Sequence, residues 1–161
     1  ENEEIVVSEE LTTSLPLIAQ ITSKGFYLVC SDELIVYDIA TRTFDVVSYN
    51  GYAVFDYDIS NDVISLLLNI PGYNVAYQSI AITDSADILY DYVIDSSVYD
   101  IALCGLNTCL LTDGKLWVLD YEGISVIDCE FSTRESKLLP YSSDELYICN
   151  ATVAPLININ E

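Results

Sequence analysis

Phe26–Asn50, FYLVCSDELIVYDIATRTFDVVSYN, is the stretch that decides how this chain is read. Three apolar, β-branched or aromatic runs are parted by the polar breaks Ser31-Asp32 and Thr41-Arg42-Thr43, the pattern of consecutive antiparallel hairpins. The figure returns in Cys109–Phe131, CLLTDGKLWVLDYEGISVIDCEF, where Leu116, Val118 and Asp120 answer Leu34, Val36 and Asp38 at a distance of 82 residues. A weaker copy begins at Leu146, LYICNATVAPLININ, and its Tyr147 lies 120 residues after Tyr27. Both distances are near-multiples of about 40 residues, the spacing of four-stranded propeller blades.

Working outward from these copies gives four units. The first comprises Pro16–Thr22, Gly25–Cys30, Leu34–Ile39 and Phe44–Tyr49; the second Tyr52–Ile59, Val63–Ile70, Val75–Ile82 and Ile88–Ile94. The third comprises Val98–Leu103, Cys109–Thr112, Lys115–Tyr121 and Ile124–Phe131, with Asp113-Gly114 predicting a type I′ hairpin in which both turn residues have positive φ. The fourth, Lys137–Tyr141, Glu145–Asn150 and Val153–Ile159, lacks a fourth strand. Unit starts at Pro16, Tyr52, Val98 and Lys137 are 36, 46 and 39 residues apart. The expected fold class is all-β: a β-propeller-like array of about four four-stranded antiparallel blades, either a small ring or part of a larger one. A β-sandwich also has short strands at this spacing, and the internal repeat decides against it. Residues 1–15 form an acidic N-terminal segment, and 16–161 the repeat domain. Ser8 to Leu15 could open a short helix, which Pro16 limits, and Ile5–Val7 could be a strand that closes the last blade.

The run ELIVYDIATRTFDVVSY resembles the strand passages of the β-propeller superfamily, in which a Tyr-Asp or Trp-Asp pair ends a strand before a tight turn. Tyr37-Asp38 and Leu119-Asp120 occupy that place. The likeness is to WD-repeat and PQQ-like blades, and it implies a scaffold with a binding face formed by loops. No Gly-His partner of a WD triad is present, and Trp117 is the single tryptophan.

Composition excludes several functions. The formal net charge is −21, with 26 acidic residues against Lys24, Lys115, Lys137, Arg42 and Arg134. Such a field repels nucleic-acid phosphates and anionic lipid surfaces, and favours a basic protein or peptide partner. There is no histidine, which removes Ser-His-Asp and Cys-His nucleophile systems and His-ligated zinc. Two arginines cannot supply the arginine cluster of propeller sialidases. No enzymatic role is expected. No apolar run reaches the roughly twenty residues of a membrane span; the longest is Val63–Ile70. The chain starts ENEEIVV without a methionine, so any signal peptide or anchor would lie outside these residues. Five cysteines lack metal-ligand spacing and read as buried thiols, with a Cys104–Cys109 disulfide across a hairpin as the alternative. Unpaired thiols lean towards a cytoplasmic setting, an extracellular ectodomain being the alternative. Asn150-Ala151-Thr152 matches a glycosylation acceptor.

Two candidate sites remain. Asp56, Asp58, Ser60 and Asp62 place oxygen side chains at positions one, three, five and seven of a calcium-loop pattern, but Asn61 and Leu67 stand where its turn glycine and chelating glutamate belong. Calcium, or a glycan, through acidic loops is therefore the alternative function, and the leading expectation is no cofactor. Of thirteen tyrosines, Tyr27, Tyr37, Tyr77 and Tyr147 sit within strand patterns, whereas Tyr52, Tyr73 and Tyr99 lie near loops and are the candidate partner-binding residues.

Overall fold

The computed structural model describes residues 12, 14–60, 62–73 and 75–160, and all its regular structure is β. The first sheet holds β1 (Pro16–Ile21), β2 (Gly25–Cys30), β3 (Glu33–Asp38) and β4 (Thr43–Ser48). The second holds β5 (Ala53–Ser60), β6 (Val63–Asn69), β7 (Tyr77–Thr83) and β8 (Ile88–Ile94). In the third are β9 (Val98–Cys104), β10 (Asn107–Thr112), β11 (Lys115–Leu119) and β12 (Ile124–Asp128), and in the fourth β13 (Lys137–Pro140), β14 (Glu145–Cys149) and β15 (Leu156–Asn158). Within every sheet spatial order follows chain order and every pairing is antiparallel. This is the propeller-like array that the repeat predicts, including the three-stranded fourth sheet.

The sheets stack face to face through three apolar joints. Tyr27, Val29, Leu34 and Val36 of the first sheet meet Ile64, Leu66, Leu68, Ile80 and Ile82 of the second. The opposite face of the second, with Val63, Leu67, Ala81, Tyr90 and Ile94, meets Ile101, Leu103, Leu110 and Leu119 of the third. Ala102, Cys109, Leu111, Leu116 and Val118 then meet Leu138, Leu146 and Ile148 of the fourth. A strand alternates its side chains between faces, so one lying between two joints must be apolar throughout. That is why β6 reads VISLLLN and is buried from Val63 to Leu68. Each fully buried Leu or Ile contributes about 1.5–3 kcal/mol.

Several strand ends and one turn depart from the sequence reading; β12, for instance, ends at Asp128 and not at Phe131, and β10 starts at Asn107 and not at Cys109. β7 starts at Tyr77, two residues later than expected, and β11 stops at Leu119 because Asp120 Oδ1 accepts the N–H groups of Glu122 (2.7 Å) and Gly123 (3.0 Å) and turns the chain. β15 is confined to Leu156–Asn158, since Asn150 Oδ1 accepts the N–H groups of Thr152 and Val153 and holds that segment as a turn. At Asp113-Gly114 only the glycine has positive φ (69°), so the turn is not type I′. Thr133 explains it: its hydroxyl accepts from Gly114 N (2.9 Å) and donates to Thr112 O (2.6 Å), clasping the turn from outside the hairpin. The expected closing strand Ile5–Val7 lies outside the described residues, as does most of the expected helix; Thr12, Ser14 and Leu15 are not helical.

Candidate functional site: an apolar groove beside a clasped inner edge

Strict hairpin order gives the sheets two rims. One carries the β1–β2, β3–β4, β5–β6 and β7–β8 turns; the other carries the connections β4–β5, β6–β7 and β8–β9. On the second rim Tyr52, Ile70, Tyr73, Ala76, Val93 and Asp95 line a groove of about 340 Å³. The side chains arrive from three places along the chain. Tyr52 follows the Tyr49–Tyr52 turn, closed by Tyr52 N donating to Tyr49 O at 3.0 Å. Ile70 and Ala76 bracket the Pro71-Gly72 turn, with Ile70 N donating to Ala76 O at 3.0 Å, and Gly72 takes φ 86° at its tip. Val93 and Asp95 come from the end of β8 and the residue after it. Tyr73 is 70% and Val93 66% exposed, so the groove offers aromatic and aliphatic surface to solvent.

Two of the three sequence-chosen tyrosines, Tyr52 and Tyr73, therefore meet in one groove. Tyr99 does not join them. It lies on β9, and its hydroxyl accepts a hydrogen bond from Arg134 Nε at 3.3 Å.

The three aspartates of the calcium reading are divided among separate tasks. Asp56 Oδ1 accepts from Tyr57 N (2.9 Å), and burial pushes its carboxyl above the ordinary range. Asp58 reaches into the next sheet, where its Oδ2 accepts from Leu103 N of β9 at 2.7 Å. Asp62, in the left-handed region at φ 65°, accepts Ser23 N of the first sheet on Oδ1 at 2.6 Å. Among the described residues there is no group of three or more Cys, Asp or Glu side chains arranged to hold a metal.

Sequence reasoning missed what these aspartates do. β5, β9 and β13 are edge strands of their sheets, and an edge strand leaves unpaired N–H groups. Asp58 of β5 takes up Leu103 N of β9, and Asp100 of β9 takes up Leu138 N of β13 at 2.7 Å while pairing with Lys137. The same clasp thus occurs at two successive joints. The signal available in the sequence was an acidic residue inside an otherwise apolar strand, VFDYDI and VYDIAL. At the mouth of these inner strands Ser60, Leu103, Gly105 and Pro140–Ser143 line a second cleft of about 290 Å³.

All five cysteines are free thiols. Cys104 and Cys109 sit on one face of the β9–β10 hairpin, and the hydrogen bond between them, with burial, pushes the Cys109 thiol well up. Asn150 donates through Nδ2 to Ser132 O and Ser136 Oγ, both at 3.3 Å, so the nitrogen that glycosylation needs is engaged.

No family model and no curated protein matches the chain. Among solved structures it is similar to the N-terminal domain of Nup159, a β-propeller, with a TM-score of 0.53 and 8% identity over 88% of this chain. The match covers 43% of that chain, so this sequence spans less than half of its structural neighbour. At this identity the likeness establishes the propeller-like fold alone.

Proposed function

We propose that the chain is a non-enzymatic interaction module that docks a protein or peptide through the groove of Tyr52, Tyr73 and Val93. One observation carries this reading: two aromatic residues and an aliphatic one from three places along the chain converge on an open apolar concavity. Tyrosine gives rigid contact area at low entropic cost, and such anchors dominate recognition surfaces. Asp95 at the groove, together with the −21 net charge, selects a partner that sets basic residues beside an apolar or aromatic anchor. No cofactor is required, because the recognition groups are side chains already in place.

The test is affinity for a library of basic, aromatic-containing peptides displayed on beads, followed by titration of the selected binder. Tyr73→Ala should weaken binding by about tenfold or more, the effect of losing an aromatic anchor, while shifting stability by no more than about 0.5 kcal/mol because Tyr73 is exposed. Selected peptides that bind Tyr73→Ala and the wild type equally would refute the groove. Calcium and magnesium at matched ionic strength should shift the melting temperature equally, as screening of an acidic chain does; a calcium-specific shift abolished by Asp58→Ala would reinstate the metal reading.

A further inference from the structure

We propose that the partner of the groove formed by Tyr52 and Tyr73 binds as an extended strand along the free edge of β8, setting basic residues against Asp91 and Asp95 and an apolar one against Val93. This rests on the groove reading above and adds to it a conformation and a residue spacing. β8 is the outer edge of the second sheet, and among the described residues its backbone hydrogen-bonds β7 alone. Every second N–H and C=O along an edge strand points away from its sheet, so β8 offers a row of donors and acceptors to an incoming main chain. A peptide that extends a sheet in this way takes affinity from its main chain and specificity from alternate side chains. The first and third sheets pack on either side of the second, so this edge lies within the array.

Side-chain alternation gives the edge its chemistry. Tyr90, Tyr92 and Ile94 turn towards the third sheet and pack in that joint. On the other face Asp91, Val93 and, one step past the strand, Asp95 follow one another at two-residue spacing, and all three are exposed. Val93 and Asp95 also line the groove, so edge and groove are one continuous surface. The Asp91 carboxylate is held by Gln78 Nε2, which donates to its two oxygens at 2.8 and 2.7 Å. Lys24, Lys115 and Lys137 each pair with an aspartate elsewhere, and no cation among the described residues pairs with Asp91 or Asp95. A strand laid against this face meets acid, apolar group and acid in turn. Its complement carries basic, apolar and basic residues at every second position, a pattern that reads the same in either direction along β8. The same charges count against other occupants: a second copy brings another chain of charge −21, and residues 1–11 contain five glutamates and no basic residue.

The probe is the peptide Thr-Arg-Thr-Tyr-Thr-Arg-Thr, seven residues long like β8, titrated by fluorescence anisotropy. It should bind, and at saturation hydrogen exchange should slow at every second amide of β8, the others being bonded to β7 already. N-methylation of the peptide backbone should weaken binding about tenfold at alternate positions and little between them, since the methyl group removes a main-chain donor only where that donor faces β8. Asp91→Lys combined with Asp95→Lys should reject this peptide and accept its counterpart with Glu in place of Arg. Binding that is lost in Tyr73→Ala, yet shows no alternation in N-methyl effects and no change in β8 exchange, would overturn strand addition and leave the groove standing. Alternating effects that are indifferent to Tyr73→Ala would overturn the groove and place recognition on the edge alone. Failure of the peptide to bind would overturn strand addition. So would β8 amides that are already protected in the free chain and released by deleting residues 1–11, or protected only in a two-copy species seen by sedimentation.

Discussion

Tyrosines on the two rims of the second sheet have opposite fates. On the turn-bearing side, Tyr27 donates to Asp62 O at 2.6 Å, Tyr90 donates to Leu106 O at 2.8 Å, and Tyr92 donates to Asp120 O at 2.7 Å. Each of these bonds crosses from one sheet to the next. On the other rim, Tyr52 and Tyr73 line an open groove, and no hydrogen bond among the described residues crosses from the second sheet to a neighbour there. One residue type is used as a bolt on one side and as a contact surface on the other. The second sheet is thereby held to its neighbours at one rim, and its opposite rim is left free to vary in shape and chemistry without loosening those joints.

That division can be broken by substitution, and Tyr90→Phe should have the largest effect. Its hydroxyl also receives Thr108 N at 2.8 Å, so removal leaves a buried donor unpaired and should cost about 1–3 kcal/mol by denaturant unfolding. The pH profile sharpens the same point. Burial, opposed by its Thr108 hydrogen bonds, pushes the Tyr90 hydroxyl up to about 12, against about 10 in an unfolded chain. A group that holds its proton more tightly when folded contributes its full stabilisation below the unfolded value and loses it as pH climbs to the folded one. Wild-type stability should therefore fall between pH 10 and 12, and Tyr90→Phe should flatten that fall; an unchanged slope would show that the bolt is not carried by this hydroxyl.

Tyr27→Phe comes next, at about 0.5–1.5 kcal/mol, because its hydroxyl donates to the Asp62 and Ile82 carbonyls and its removal strands no buried N–H group. The smallest effect belongs to Asp56. Burial raises its carboxyl, so the folded protein carries a disfavoured charge above that raised value and loses stability as pH rises through the carboxylate range. Asp56→Asn should melt slightly higher than wild type at pH 7 and show no difference below about pH 4, where both side chains are neutral. Melting curves at the two pH values measure this directly, and a wild-type advantage at pH 7 would assign Asp56 a charge-dependent partner.

Much of the fold was legible because local chemistry and global arrangement agree. Alternating apolar runs and polar turns specify strands, and sheets built wholly from consecutive hairpins ask no long-range guess of the reader. The run from Val63 was legible as a strand from its length, while its burial on both faces emerges only from the stacking of the sheets. The groove was half legible, since loop-adjacent Tyr52 and Tyr73 could be picked out while Ile70 and Val93 looked like ordinary strand residues. Asp58 was misleading because a carboxylate that satisfies the edge of the next sheet has the same local spacing as one awaiting an ion. Thr133, nineteen residues after the Gly114 it clasps, had no pattern at all. Contacts of that kind depend on how sheets stack, which periodicity within a strand does not encode.

Strict chain order within each sheet also governs how the molecule comes apart. Every ladder closes through a connection of a few residues, and among the described residues the apolar joints link each sheet to its predecessor and successor. Stability in such an array is a sum over neighbours, so unfolding begins at the ends and moves inward as a front. Amide protons of β6 and β10 should exchange last, through global opening. Those of β15, three residues long on the outermost sheet, should exchange first, making the molecule a graded series of protection factors laid out along its own sequence.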